Sequence, residues 1–552
     1  MEAPRDPRLK WLERAGVALL LLAALVPRLR DLRAPFDRAI DGFQGSCFAL
    51  FAVNYERVGL GKYGGYPVFN VDLPKSPETL PYVYANHPPL VPILGWASIK
   101  LFGPDGWNEA WRENRAPQGI EGALRLPFFL LHMFGLWALW WALRQSDGAG
   151  RAMLALALAG MLPIGILCAG LVNYENACIP PLLVSLGFHV RWLKSGRGRD
   201  LASCGIFGLL ASIVTFTPVF FAPALVLHTL FVRGWRKAVI QGFVFGGAAL
   251  LPLMLHGLWV RQMVPVAASS VFERAELLLS PLFDGSKPFT EWCRRQVLRL
   301  SFFCTPWILT TAFVGVVVAA ARALRSKSAA KEERPISIVL PLAFGAFLSQ
   351  LAFYTHTFDG NAAENGQTNF LLNLAPAVAA LGAVFFDALA RPLFRLRGGL
   401  GPLVLVVATF GLPAVARAGE IRAKWRDPGP RDDSSLTEGP ATPLPKTAGE
   451  QIAEVLPSGS AGLFPAGAVL GPAVSYYAWR TIMGVDEATW GLRLLTIDEV
   501  LGLPEADRYL LFPKDPLPAA APILERFRPG LVEKFGEPTF ASESWELWPP
   551  EP

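Results

Sequence analysis

The sequence is short of charge. Asp, Glu, Lys and Arg make up 17% of its 552 residues, against about 25% in soluble domains, too few to cover a water-facing surface. Basic residues give a formal net charge of +6, yet they are not gathered on one amphipathic or aromatic-interleaved surface, so nucleic acid is excluded as a partner. Cysteine is scarce: Cys47, Cys168, Cys178, Cys204, Cys293 and Cys304 are scattered, four of them in or beside apolar runs. No CxxC or Cys/His ligand spacing occurs, which argues against a disulfide scaffold and against a zinc site. No small-residue cleavage site follows the N-terminal apolar run; VPRLRDLRAPFD comes instead, and predicts an uncleaved first helix. No GxGxxG supports a dinucleotide site in the C-terminal part.

What is present is apolar sequence, 52% of the chain. Residues 12–417 alternate between apolar runs and short charged punctuation, whereas 418–552 reads as an ordinary soluble domain. A spanning helix needs about 20 mostly apolar residues, and lipid tolerates only helices or closed barrels. The candidate spans are 13–29, 123–143, 151–169, 175–192, 201–215, 217–232, 236–257, 301–321, 335–355, 368–389 and 399–417. The two around 201–232 are separated at Thr217-Pro218. The proline-headed run 88–102 is too short to cross and suits an interfacial helix.

Lys and Arg orient these spans. They cluster before the first span and then after every second one, at 144–151, 191–199, 233–237, 322–334 and 391–397. The positive-inside rule places all these clusters in the cytoplasm. The N-terminus is then inside and the C-terminal domain outside. Long segments at 30–122, 258–300 and 418–552, and a short one at 356–367, fall on the external face, where loops held by a rigid scaffold carry function. The expected organisation is a transmembrane domain over 1–417, a linker over 418–447 and a soluble domain over 448–552. In that last part, helix-like runs (AGEQIAEVL, AAPILERF) mix with strand-like ones (AGLF, AVSYYAW, RYLLF), which predicts a small α/β or α+β domain.

The first external segment holds Asp37 and Asp41 in APFDRAIDGFQGSCFALFAVNYERVG. Residues 43–58 predict a surface helix, with Asp41 at or just before its N-terminus. Asp41 reads either as the cap of that helix or as a carboxylate that takes a proton from a nucleophile. A Gly/Tyr-rich turn, GLGKYGGYP, follows, then YVYANHPPL, where two prolines hold His87 in an extended geometry. Glu175, in VNYEN, falls between two apolar helices, where an acidic residue by default signals function. A third polar island at 354–369 contains His356, Asp359 and Glu364. External Arg57, Lys62, Arg125 and His356 are candidates to neutralise a lipid phosphate.

Taken in order, these features resemble the GT-C membrane glycosyltransferases. The resemblance rests on Asp41 after the first helix, HPPL at 87–90 opening a segment that ends LFG at 101–103, Arg125-Leu126-Pro127, and Pro163 followed by Glu175. It is closest to the branch of protein O-mannosyltransferases and bacterial lipid A aminoarabinose transferases. It covers 10–230 by motif and the rest by layout. It implies an all-α polytopic enzyme that moves a sugar, with inversion, from a polyprenyl-phosphate donor to a protein, lipid or glycan acceptor. The place implied is the periplasmic face of a bacterial inner membrane. Carried over by position, Asp41 and Glu175 are the catalytic pair: Asp41 is the general base or orienter for the acceptor, and Glu175, the second acidic position, shapes the acceptor site or a metal environment. His87 lies near the donor phosphate, and His356 and Asp359 lie in the late external loop. Two departures stand out: Thr215-Phe216-Thr217-Pro218 replaces a lysine-containing turn, and NFLLNLAP at 369–376 replaces an Arg/Tyr-containing one. No DxD pair occurs in the first loop, so a divalent metal is unsupported and no cofactor is expected. The main rival, a lipid or solute transporter, is disfavoured because no inverted repeat is visible and the polar residues gather externally. A polysaccharide polymerase or ligase would put its key loop late in the chain, whereas the strongest polar constellation here is early.

Overall fold

A computed structural model describes residues 7–36, 39–68, 83–110, 117–263, 279–325, 336–354, 371–393 and 411–426, and five strands between 461 and 548. His356, Asp359 and most of the expected span 399–417 lie outside the described residues, as do the side chains of 39–43. Two units can be separated: 1–32 with 85–91 and 126–422, and 33–84 with 92–125 and 423–552.

The first unit is a bundle of helices. Among the described residues, four helices are long and apolar enough to cross a bilayer: Glu121–Asp147 (α4 below), Trp235–Met263, Pro306–Arg325 and Leu371–Leu389. Shorter apolar helices include Ala149–Met161, Thr217–Arg233 and Val339–Ala352. Trp235, Phe243, Met254 and Leu258 stand well exposed on the outside of one long helix, as lipid-solvated side chains do. The chain is an all-α polytopic membrane protein over this part.

The helices α1 (Pro7–Leu29), α4 (Glu121–Asp147), α5 (Ala149–Met161), α6 (Pro163–Leu167) and α7 (Tyr174–Ser195) carry the candidates of the first unit; α2 (Ala39–Val58) and most of α3 (Leu90–Phe102) belong to the second. The run 151–169, read as one span, is two helices because Pro163 has no N–H to give the carbonyl of Ala159, and α5 ends two residues earlier. The separation at Thr217-Pro218 is present: helices Gly198–Ser212 and Thr217–Arg233 flank it. Close approach between helices relies on small residues. A Cβ on Gly315 would lie 2.1 Å from the Leu381 carbonyl oxygen of the neighbouring helix. At the start of α5, Arg151 bridges Asp147 (3.0 Å) and Asp387 (2.6 Å), and Ser337 donates to Asp147 at 2.9 Å.

In the second unit, α2 is not a surface helix. Ser46, Cys47, Phe48, Ala49, Leu50, Phe51, Ala52 and Val53 are buried in succession, so every face of the helix is covered. α3 has 13 residues, about 20 Å long at 1.5 Å per residue, well short of a bilayer core of about 30 Å. Five strands, β1 (Ala461–Pro465), β2 (Thr481–Val485), β3 (Arg508–Pro513), β4 (Phe540–Ala541) and β5 (Trp545–Trp548), form one sheet in the order β2-β1-β3-β5-β4. β1 runs parallel to β2 and β3, with Ala461 opposite both Thr481 and Arg508. β5 is antiparallel to β3 and β4, with Leu510 opposite Trp548. The run AVSYYAW and both helix-like runs lie outside the described residues.

Candidate functional site

In the first unit the site is built on a fastened turn. Asn173, with extended backbone, caps α7: its side chain accepts a hydrogen bond from the Asn176 N–H at 2.9 Å, meeting one of the donors left open at a helix start. Asn176 then donates from Nδ2 to the carbonyls of Cys168 (2.7 Å) and Leu171 (2.9 Å). Glu175 sits between these two asparagines in the first turn of α7, 3% exposed. The positive end of the helix macrodipole favours a carboxylate there.

His87 meets the same turn. Its ring lies 4.0 Å, centroid to centroid, from that of Tyr174, the residue before Glu175. It also stacks on Phe216 at 5.9 Å, and Phe216 in turn lies 5.3 Å from His256. Two of the residues expected from sequence, His87 and Glu175, are thus brought to one place. Three aromatic members of the group, Tyr174, Phe216 and His256, were not anticipated. Phe216 was visible only as a departure at the Thr217-Pro218 break, the position where a helix start turns its ring towards His87.

The second unit holds the remaining sequence candidates. Asp41 is the third residue of α2. Ahead of it, Arg125 is 1% exposed. Its guanidinium donates to the carbonyls of Ala34 and Pro35, the latter at 3.2 Å, and lies 5.0 Å over the Phe36 ring. Carbonyls of a non-helical segment have no ladder partner, and a planar fork of donors supplies one. Arg125 is therefore engaged with the segment that leads into the Asp41 helix. A Cβ on Gly45 would fall 2.2 Å from Phe36, so the ring needs glycine in the next turn.

Arg57 and Lys62 are at the other end of α2. Arg57 lies sixteen positions after Asp41 along the helix, about 24 Å at 1.5 Å per residue, so the two are not brought together. Arg57 donates to Asn54 Oδ1 at 3.1 Å, and Asn54 donates to the Val68 carbonyl at 2.8 Å. Lys62 is exposed, 5.7 Å from the Tyr63 ring. Tyr55 Oη donates to the Gly65 carbonyl at 2.6 Å, closing the Gly/Tyr-rich turn, and burial pushes the phenols of Tyr55 and Tyr66 above their ordinary range.

Comparison with known proteins gives three results. The family profile described as dolichyl-phosphate-mannose-protein mannosyltransferase matches residues 118–259, the stretch from α4 through α7 and beyond. No curated protein matches the chain by sequence. Among solved structures, ArnT from Cupriavidus metallidurans bound to undecaprenyl phosphate is 15% identical with a TM-score of 0.54, over 98% of this chain and 97% of that one. The apo oligosaccharyltransferase of Archaeoglobus fulgidus is 13% identical with a TM-score of 0.53, over 87% of this chain. The chain spans 65% of the length of that oligosaccharyltransferase. Identities this low show the fold alone, which this chain shares with ArnT and with the archaeal oligosaccharyltransferase.

Proposed function

We propose that the protein transfers a sugar, with inversion, from a polyprenyl-phosphate donor to a protein, lipid or glycan acceptor at the extracytoplasmic face of the membrane. The observation that carries this reading is the end-to-end match, 98% of this chain on 97% of the other, with an ArnT structure that holds undecaprenyl phosphate. The family match over 118–259 supports it across the segment that includes Glu175.

The chemistry needs few groups. The acceptor hydroxyl attacks the anomeric carbon from the face opposite the phosphate, the sugar–oxygen bond breaks, and its electron pair leaves with the lipid phosphate. A phosphate is already stable as an anion, so it requires electrostatic accommodation more than a strong acid. The acceptor proton goes to a base, a role we assign to Asp41. Glu175 shapes the acceptor site, and to the donor phosphate we assign His87, stacked against Tyr174, with His356 and Asp359 of the late external loop. Arg125 and Arg57, engaged within their own segment, serve by holding it.

Around this site we place eleven spans with the N-terminus in the cytoplasm of a bacterial inner membrane. A linker over 418–447 leads to a small periplasmic α/β or α+β domain over 448–552, a reading supported by the mixed five-stranded sheet. The test is donor turnover by the purified protein in nanodiscs, with radiolabelled polyprenyl-phosphate sugars and crude membrane acceptors. Turnover of one donor, abolished by Asp41→Asn in a folded protein, is expected. Turnover unaffected by the substitution removes Asp41 from its role. Failure of every donor with a folded protein, joined to lipid or solute flux in proteoliposomes, would replace the enzyme with a transporter.

A further inference from the structure

A chain of side-chain hydrogen bonds crosses the first unit from α1 to the turn that carries Glu175. Arg28, 2% exposed near the end of α1, donates from Nη1 to the carbonyls of Ala24 (2.7 Å) and Gly160 (2.6 Å). Its Nη2 faces the Ala159 carbonyl at 3.4 Å, the acceptor that Pro163 leaves without its helical donor. Nε of the same guanidinium points at Nε2 of His132 on α4, at 3.4 Å. The other ring nitrogen, Nδ1, is 3.0 Å from Asn176 Oδ1.

The two ends of this chain fix the proton on His132 independently. An arginine Nε only donates, so His132 Nε2 must present its lone pair. Asn176 gives both amide hydrogens to the carbonyls of Cys168 and Leu171, so it is Oδ1 that faces the ring and Nδ1 that carries the hydrogen. Both constraints select one neutral tautomer. Gly165 makes the meeting possible: a Cβ there would lie 3.1 Å from Arg28 Nη2 and 3.7 Å from His132 Cε1.

We infer that His132 is a positioning residue for the glycosyl transfer proposed above. As the Nδ1–H tautomer locked by Arg28, it fixes the Asn176 amide and through it the 168–176 turn that presents Glu175. His132 makes no contact with the reacting groups in this role. A buried polar network specifies a unique geometry when every member is satisfied, and misplaces it when one is not. The inference rests on the proposed transfer for its kinetic consequence only; the tautomer stands or falls alone.

The test has two arms on the full-length protein in nanodiscs. Nitrogen-15 solid-state NMR of labelled histidine, with His132 assigned by difference against His132→Gln, is expected to show hydrogen on Nδ1 and none on Nε2. Hydrogen on Nε2, alone or with Nδ1, overturns the relay, since two donors would then face each other. In the second arm, His132→Leu is expected to lower kcat about 10- to 100-fold, as displaced catalytic groups do, with donor KM little changed. His132→Gln, whose amide both accepts and donates, is expected to restore most of that loss. The His132→Leu effect is expected to shrink in a Glu175→Gln background, because the relay acts through that turn. Equal loss in Leu and Gln variants, or full loss persisting without the Glu175 carboxylate, overturns the positioning role. If the wild type turns over no donor while the tautomer is as stated, the transfer reading fails and the structural relay survives.

Discussion

The ring of His87 is held face to face with that of Tyr174, 31° from parallel, by a loop on one side and the first residue of α7 on the other. This contact joins the segment that precedes α3 to the turn that carries Glu175. Aromatic pairs of this kind contribute about 0.5–1.5 kcal/mol beyond the area they bury. His87→Phe preserves the stack and removes the nitrogen atoms, whereas His87→Ala removes both. We expect His87→Phe to melt close to the wild type and to raise donor KM about tenfold, the loss of roughly one charge-assisted hydrogen bond. His87→Ala is expected to do both that and lower thermal stability. A phenylalanine variant with unchanged donor KM would remove His87 from the donor side.

Arg125 is expected to resist its conservative replacement. Lysine has a single point of donation where the fork reaches two carbonyls and covers a ring. Arg125→Lys should therefore cost about 1–3 kcal/mol, the range for leaving buried acceptors unmet, and should lower kcat through the start of the Asp41 helix. Thermal unfolding and donor kinetics of the same preparation check both parts. A variant that loses donor affinity without losing stability would instead make Arg125 a phosphate ligand.

Two glycines in apolar helices should respond in opposite directions. Gly315→Ala puts a Cβ against the Leu381 carbonyl and should destabilise by about 1–3 kcal/mol, as overpacking does. Gly257, in a helix with open space at its Cβ position, should gain up to about 1 kcal/mol on substitution by alanine, from helix propensity alone. Differential scanning fluorimetry of the two variants side by side decides the matter.

Glu291 should keep its charge well into acid. Side-chain hydrogen bonds from Arg294 (2.6 and 2.7 Å) and Arg295 (2.9 Å) hold its carboxyl at about 2, against an ordinary 4.5. A depressed folded value means that the stabilisation is present above the unfolded value and fades as pH falls from about 4.5 to about 2. Amide exchange at the start of helix Phe289–Cys304 should thus be slower in the wild type than in Glu291→Gln at neutral pH. The difference should close on acidification through that window.

Much of the bundle was legible because proline and charge punctuate it. The gap before Thr217-Pro218 and the shortness of α3 follow from residues that cannot continue a helix or cannot sit in lipid. The burial of α2 did not follow, because a helix apolar on all sides reads alike whether lipid, an interface or protein surrounds it. Asp41 at the start of α2 and Glu175 at the start of α7 were both placed near helix starts by their polar neighbours. The hold of Arg125 on the segment before α2 was hidden for a different reason: its acceptors are backbone carbonyls, which every residue has and no sequence marks. His132 and Arg28 lie 104 positions apart, and nothing local to either announces the other. Phe216 stood in plain view, but only as a missing lysine.

The guanidinium of Arg28 has a consequence in time. Its acceptors on α5 are made 131 and 132 residues after it, on the order of ten seconds of translation. Throughout that interval the end of α1 has its own Ala24 carbonyl but not the two α5 carbonyls that will receive the charge, so the rest of the guanidinium must reach headgroup water. Helix α1 then settles only once α5 has been made. Nascent chains arrested before α5 should leave a cysteine at Leu29 open to a water-soluble thiol reagent, and chains arrested after α7 should close it.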